Sequence, residues 1–267
     1  MTCPPAFTCF PLEDELVSDL HTPFFLEGTK KENLIIFIHG FMGSPRQFDK
    51  LARIAHKQGC SAAALLLPGH GGAAKEFASG TYERWQNHVC AEVEMYSRDH
   101  TDIWLAGHSM GGLLAINAAV KHSLHVRGLF LIACPFRITT VSVHAIKVRI
   151  MQVCCRKNNP VKSAYMNGSS VTLSPGLIWR TIRPTSELKT LMQAARDNLP
   201  NVRVPVTAVY SKSDELTSIG SLETLKAELT GAPLKELLLT DSLHAYYPEH
   251  EQSIIEESLA EMLSAKK

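Results

Sequence analysis

Six short apolar runs, all but one followed by a stretch with helical spacing, constrain the fold of this chain more than anything else in it. Residues 34–38 run into His39-Gly40, 61–67 into Pro68-Gly69-His70-Gly71, and 102–106 into Gly107. Residues 128–133 stop before Pro135, and 204–210 and 234–239 complete the set. The runs are near-continuously apolar, the pattern of strands covered on both faces. Helices are expected over 45–58, 81–98, 110–122, 218–229 and 249–264. Strand and helix in alternation predict an α/β fold, a mostly parallel central sheet flanked by helices. A length of 267 residues suffices for one such domain with a large core.

Residues 136–200 break the rhythm. They hold no strand-like run and are too many for an ordinary βα connection. Helical stretches at 141–156 and 186–198 surround a Gly/Ser/Pro-rich middle at 168–176. We read the segment as a helical cap inserted over the C-terminal edge of the sheet, which divides the chain into a core of 1–135 and 201–267 and a cap of 136–200. Phe136, Ile138, Met151 and Trp179 are among the apolar residues available to line a pocket beneath it. The same region is basic. Residues 103–186 contain no Asp or Glu, whereas Arg137, Lys147, Arg149, Arg156, Lys157 and Lys162 fall close together. Either these form a solvated face balanced by the acidic C-terminal helix, or they attract an anionic substrate or weakly hold an anionic lipid surface.

Composition narrows the class. A formal net charge of +1 gives no reason to expect a nucleic-acid partner. Seven cysteines, with Cys154 and Cys155 adjacent, match neither a disulfide framework nor a zinc pattern, so a reducing compartment and no metal are expected. Residues 1–20 carry no basic cluster followed by an apolar core, and no run approaches the ~20 apolar residues of a membrane span. A cytoplasmic location is the expectation.

The chemistry centres on Gly107-His108-Ser109-Met110-Gly111, set where an expected strand meets an expected helix. This matches the G-x-S-x-G nucleophile elbow, whose glycines remove side chains that would collide in so tight a turn. Ser109 would stand at a helix N-terminus, where the dipole and free N–H groups favour a developing oxyanion. With Ile38-His39-Gly40-Phe41, Leu67-Pro68-Gly69-His70-Gly71 and Ser211-Lys212-Ser213-Asp214-Glu215, the chain resembles the α/β-hydrolase superfamily, most closely its bacterial carboxylesterases and monoacylglycerol-lipase-like enzymes.

That resemblance implies a serine, an acid and a histidine in this chain order. The acid-free stretch pushes the acid into the last third, where Asp214 follows a strand; Asp197 lies in the cap, and Glu215 would point elsewhere. The alternative role for Asp214 is a helix N-cap. Only His244 and His250 come later, and His244 follows the last strand, although Leu243 stands where many relatives have Gly. The resemblance also assigns an oxyanion hole to the backbone N–H groups of Phe41 and Met110. His39 and His70 read as structural, and His108, the variable position of the elbow, as packing, with a supporting role behind the site as its alternative. The function expected is a carboxylic-ester hydrolase working through an acyl-enzyme on small or medium lipophilic esters, with no cofactor. A monoacylglycerol lipase, a thioesterase, an amidase, a C–C hydrolase or a catalytically silent binding protein would share much of the pattern.

Overall fold

The computed structural model describes residues 8–9, 21–138, 164, 169–171 and 177–265. Successive side chains of a strand point to opposite faces, and β3 (Lys30–Ile38) shows what this does here. Leu34, Ile36 and Ile38 enter one core cluster, and Ile35 and Phe37 another on the far side of the sheet. Both faces are apolar because both are covered. On the first lie α3 (Tyr82–Tyr96), α4 (Met110–Lys121), α5 (Leu177–Asn198) and α6 (Gly220–Glu228). On the second lie α1 (Asp49–Lys57) and α7 (Glu249–Ser264). A four-residue helix, α2 (Ala74–Phe77), packs Phe77 against Phe41 and Met42 in the loop after β3.

The other strands are β1 (Thr8–Cys9), β2 (Phe24–Leu26), β4 (Cys60–Leu65), β5 (Asp102–His108), β6 (Val126–Ile132), β7 (Val206–Ser211) and β8 (Leu234–Leu239). They form one sheet in the order β1-β2-β4-β3-β5-β6-β7-β8. From β4 to β8 every neighbouring pair is parallel, and β2 runs antiparallel to β4. The α/β fold read from the sequence is thus the fold observed. All six expected strands are present, whereas β1 and β2 are too short to leave a pattern. Lys235 and Glu236 on the edge strand β8 pair with Glu261 and Lys226 at the surface, which blunts an open edge.

The strand order reverses at β3. The chain leaves β3 to one side for β4 and returns to the other side as β5, so a crevice opens at the C-terminal ends of β3 and β5, where ligands of open α/β sheets bind.

Much of the expected cap falls outside the described residues, including the helix at 141–156, Met151, Cys154, Cys155 and the basic residues from Lys147 to Lys162. Its last part is described. Leu188, Leu191 and Ala195 on α5 are buried in the main core cluster, and the Glu187 carboxylate accepts the Tyr82 N–H at the start of α3 at 3.0 Å. The second half of α5 is therefore built into the main core. Among the described residues Cys60, Cys90 and Cys134 are buried free thiols, and burial pushes Cys60 up to about 12. No described helix is long and apolar enough to cross a membrane.

Candidate active site

Ser109 follows β5 directly and precedes α4 with φ 53° and ψ −120°, a left-handed backbone that a non-glycine residue adopts only under strain. Its N–H donates to the Ile132 carbonyl at 2.8 Å, which ties the elbow to the neighbouring strand. A Cβ on Gly111 would lie 1.9 Å from the Ile38 carbonyl oxygen, so only glycine lets α4 begin this close to β3. A Cβ on Gly40 would lie 3.1 Å from the Ser109 Cβ, which puts the loop after β3 against the candidate nucleophile.

In that loop Met42 also has positive φ, its N–H donates to His70 Nε2 at 3.2 Å, and the Gly43 N–H donates to the Gly40 carbonyl at 2.9 Å. The Phe41 N–H makes no hydrogen bond among the described residues, and the Met110 N–H opens α4, where no preceding turn supplies an acceptor. His39 holds the base of the loop: its Nδ1 pairs with the Gly40 carbonyl at 2.9 Å and its Nε2 accepts the Leu67 N–H at 3.0 Å. Burial drives His39 well below the ordinary histidine range and His70 to about 4, so both are neutral scaffolding.

Asp214 and His244 come from the loops after β7 and β8. His244 Nδ1 lies 2.9 Å from Asp214 Oδ2 and 3.2 Å from Oδ1. The carboxylate also accepts the N–H groups of Leu216 and Thr217, both at 2.8 Å. Burial alone would raise the Asp214 carboxyl, but His244 and these donors hold it below its usual value. Burial would likewise lower His244, yet the Asp214 charge and hydrogen bond, with Glu215 nearby, raise it. Nδ1 thus carries the proton that faces Asp214, which leaves Nε2 as the basic atom. Asp214 does not cap α6, which starts only at Gly220; it closes the turn before it.

Three further residues hold this arrangement. Glu215, expected to point elsewhere, is buried and accepts the His244 N–H at 3.0 Å. Glu251 on α7 is buried and accepts from the N–H groups of Thr240, Asp241 and Ser242 and from the hydroxyls of Thr240 and Ser242. Those five donors outweigh burial and take its carboxyl down to about 2. His108 donates from Nε2 to the His244 carbonyl at 2.8 Å. Nothing local in the sequence marks the two glutamates, because their partners lie on other elements. Leu243 forms a tight turn with Tyr246, its N–H donating at 2.8 Å.

Asp197 and His250 stand apart: Asp197 pairs with Gln193 on the exposed face of α5, and His250 is a surface residue beside Asp241. Asp241, His250 and Glu251 are the one trio of metal-type ligands the described residues bring together, and the Glu251 oxygens already serve the backbone. A cavity of about 640 Å³ opens between the start of α1 and the loop after His244, lined by Arg46, Phe48, Leu51, His108, Ala245 and Tyr247. Trp179, expected to line a pocket beneath the cap, is 77% exposed, and Met151, expected there too, lies outside the described residues. Phe136 is buried in the main core, and Ile138 is exposed.

The family model described as Hydrolase_4, serine aminopeptidase S33, matches residues 29–250. A Mycoplasma genitalium protein provisionally named esterase/lipase 2 is 29% identical over 140 residues, 51% of this chain and 49% of its own length. The chain thus matches about half the length of that curated relative. Among solved structures, a metagenome-derived lipolytic enzyme described with LipS and LipT superposes with a TM-score of 0.71 at 20% identity, covering 94% of this chain and 100% of the other. The monoacylglycerol lipase of Paleococcus ferrophilus superposes with a TM-score of 0.67 at 16% identity, covering 91% and 98%.

Proposed function

The chain belongs to the Hydrolase_4 family, serine aminopeptidase S33, and from that premise we propose that it cleaves carboxylic esters through an acyl-enzyme on Ser109. The observation that carries the reading is the hydrogen bond from His244 Nδ1 to the Asp214 carboxylate beside a strained serine elbow. His244 Nε2 takes the Ser109 proton as Oγ attacks the ester carbonyl. Asp214 holds the tautomer and stabilises the imidazolium. The N–H groups of Phe41 and Met110 receive the charge of the tetrahedral intermediate. His244 then protonates the leaving alcohol, and water releases the acyl group by the reverse route. The mechanism calls for no metal or organic cofactor.

The cavity beside His108 and Ala245 is walled largely by apolar and aromatic side chains, which supports a small or medium lipophilic ester as its occupant. The test is labelling of Ser109 by a fluorophosphonate probe, together with turnover on a panel of acyl esters and thioesters of increasing chain length. Absence of labelling on the folded protein would leave a silent binding protein as the better reading. Preference for thioesters would move the chain to thioesterase chemistry.

One observation favours a lipid substrate within this reading. Trp179 and Ile182 are exposed at 77% and 57% on the first turns of α5, beside the exposed Arg180 and Arg183. Exposed Trp and Ile flanked by arginines suit the surface of an anionic bilayer. A monoacylglycerol lipase would use such a surface, and faster turnover on anionic vesicles than on dispersed substrate, lost at high salt, is the expected sign.

A further inference from the structure

A catalytic base on a loop must be held to a fraction of an ångström, and the His244 loop has no strand or helix of its own to do this. Besides the Leu243–Tyr246 turn, its peptide groups are held by side chains, two of them from other elements. The His244 N–H donates to the buried Glu215 carboxylate at 3.0 Å. The His244 carbonyl accepts from His108 Nε2 at 2.8 Å and from the Tyr247 hydroxyl at 3.2 Å. His108 is the residue immediately before Ser109 and is paired with Ile132 at the end of β5. Its side chain therefore moves with the nucleophile elbow.

The chemistry of His108 argues against packing as its sole purpose. The ring is buried, and burial takes its pKa down to about 3, so it is neutral. A carbonyl acceptor at Nε2 then requires the proton there, leaving Nδ1 as a bare acceptor. Nδ1 is buried with no hydrogen-bond partner among the described residues. An unsatisfied buried acceptor is destabilising, and an apolar side chain in the same space would carry no such penalty. What the imidazole supplies in return is the Nε2–H on the His244 carbonyl.

We propose that His108 and Glu215 are positioning residues that grip the His244 peptide from its two ends and register the base against Ser109. Such a grip joins two segments 136 residues apart in the chain through one hydrogen bond. The inference rests on the reading of His244 as the base. The ionisable groups facing His244 are Asp214 and Glu215 from the loop after β7, His108 from β5 and Tyr247 from its own loop.

The experiment measures kcat, KM and the pH profile on a soluble ester for His108→Phe, His108→Gln, Glu215→Gln and Glu215→Ala, with thermal unfolding as the control for folding. His108→Phe removes the donor and should lower kcat by roughly 10- to 100-fold, the scale of an ångström-sized misplacement, with KM little changed. His108→Gln keeps an amide donor at similar reach and should recover most of that loss. Glu215→Gln keeps the acceptor but removes a negative charge that favours imidazolium. The acidic limb of kcat/KM should then move to lower pH by roughly 0.5–1 unit, while Glu215→Ala also lowers kcat. Equal activity of His108→Phe and His108→Gln, or an unmoved acidic limb in Glu215→Gln, overturns the proposal. If His108→Phe does not fold, the two Glu215 variants still decide it. Ser109→Ala separates the two ideas: residual turnover there sinks the proposed function, whereas a dead Ser109→Ala beside a normal His108→Phe sinks the grip alone.

Discussion

The two halves of the candidate site are held in different ways. Ser109 is fixed by main chain: a buried strand before it, a buried helix after it, and glycines that let the two meet. Everything that shapes this half lies within about a dozen consecutive residues and the neighbouring strands. His244 and Asp214 sit on loops, and three buried side chains from other elements, Glu215, Glu251 and His108, hold the His244 loop. The first half is rigid because its backbone has one way to pack, the second because its backbone hydrogen bonds end on specific carboxylates and an imidazole. Substitutions should therefore act differently in the two halves.

The largest effect tests whether the halves are one machine. Ser109→Ala, His244→Ala and Asp214→Asn should each lower ester turnover by about 10⁴-fold or more while the fold survives, as in other triads. Asp197→Asn and His250→Ala, on exposed side chains away from the site, should stay within about twofold of the parent. Comparable losses in the second pair would dissolve the assignment.

Gly111→Ala probes the main-chain half. Its methyl would enter the Ile38 carbonyl, so helix α4 must shift or unwind at its first turn. A loss above about 4 kcal/mol, or failure to fold, is the expected outcome in denaturant unfolding. A variant of normal stability would mean that the elbow is looser than its geometry.

Glu251→Ala probes the side-chain half and should be milder. Removing the carboxylate leaves buried donors of the 240–242 segment unpaired, at roughly 1–3 kcal/mol of stability. Its folded-state carboxyl lies at about 2 against an ordinary 4.5. The stabilisation is therefore present above about pH 4.5 and lost as pH falls toward 2. Parent and variant should differ in melting temperature at neutral pH and converge in acid. Parallel curves down to pH 2 would contradict this account of Glu251.

The smallest effect concerns the surface of α5. Trp179→Ala and Arg183→Glu should leave turnover of a short soluble ester unchanged and reduce only activity on anionic vesicles, by a few-fold and more at low salt. Equal behaviour on vesicles would remove the lipid reading and leave the esterase reading intact.

How much could be read without coordinates follows the same division. The strand 234–239 and the helix 249–264 match the structure to the residue, since apolar periodicity and flanking turns are local signals. The elbow was legible for the same reason, as a motif between two periodic segments. The extent of α5 was not: half of it belongs to the core, and Trp179, apolar and so assigned to a pocket, is exposed.

By itself, then, the sequence determined the α/β alternation, the elbow at Ser109 and the short list from which an acid and a base could come. Each rests on periodicity or on residue order, which a linear chain displays directly. Only the tertiary structure decided that Asp214 meets His244, that Glu215 turns back onto the His244 backbone, and that Glu251 and His108 secure that loop. Those contacts join loops and helices brought together at one sheet edge by packing. A carboxylate's partner is set by what lies within about 3 Å in space, and neither the identity of Glu251 nor its place in the chain carries that information.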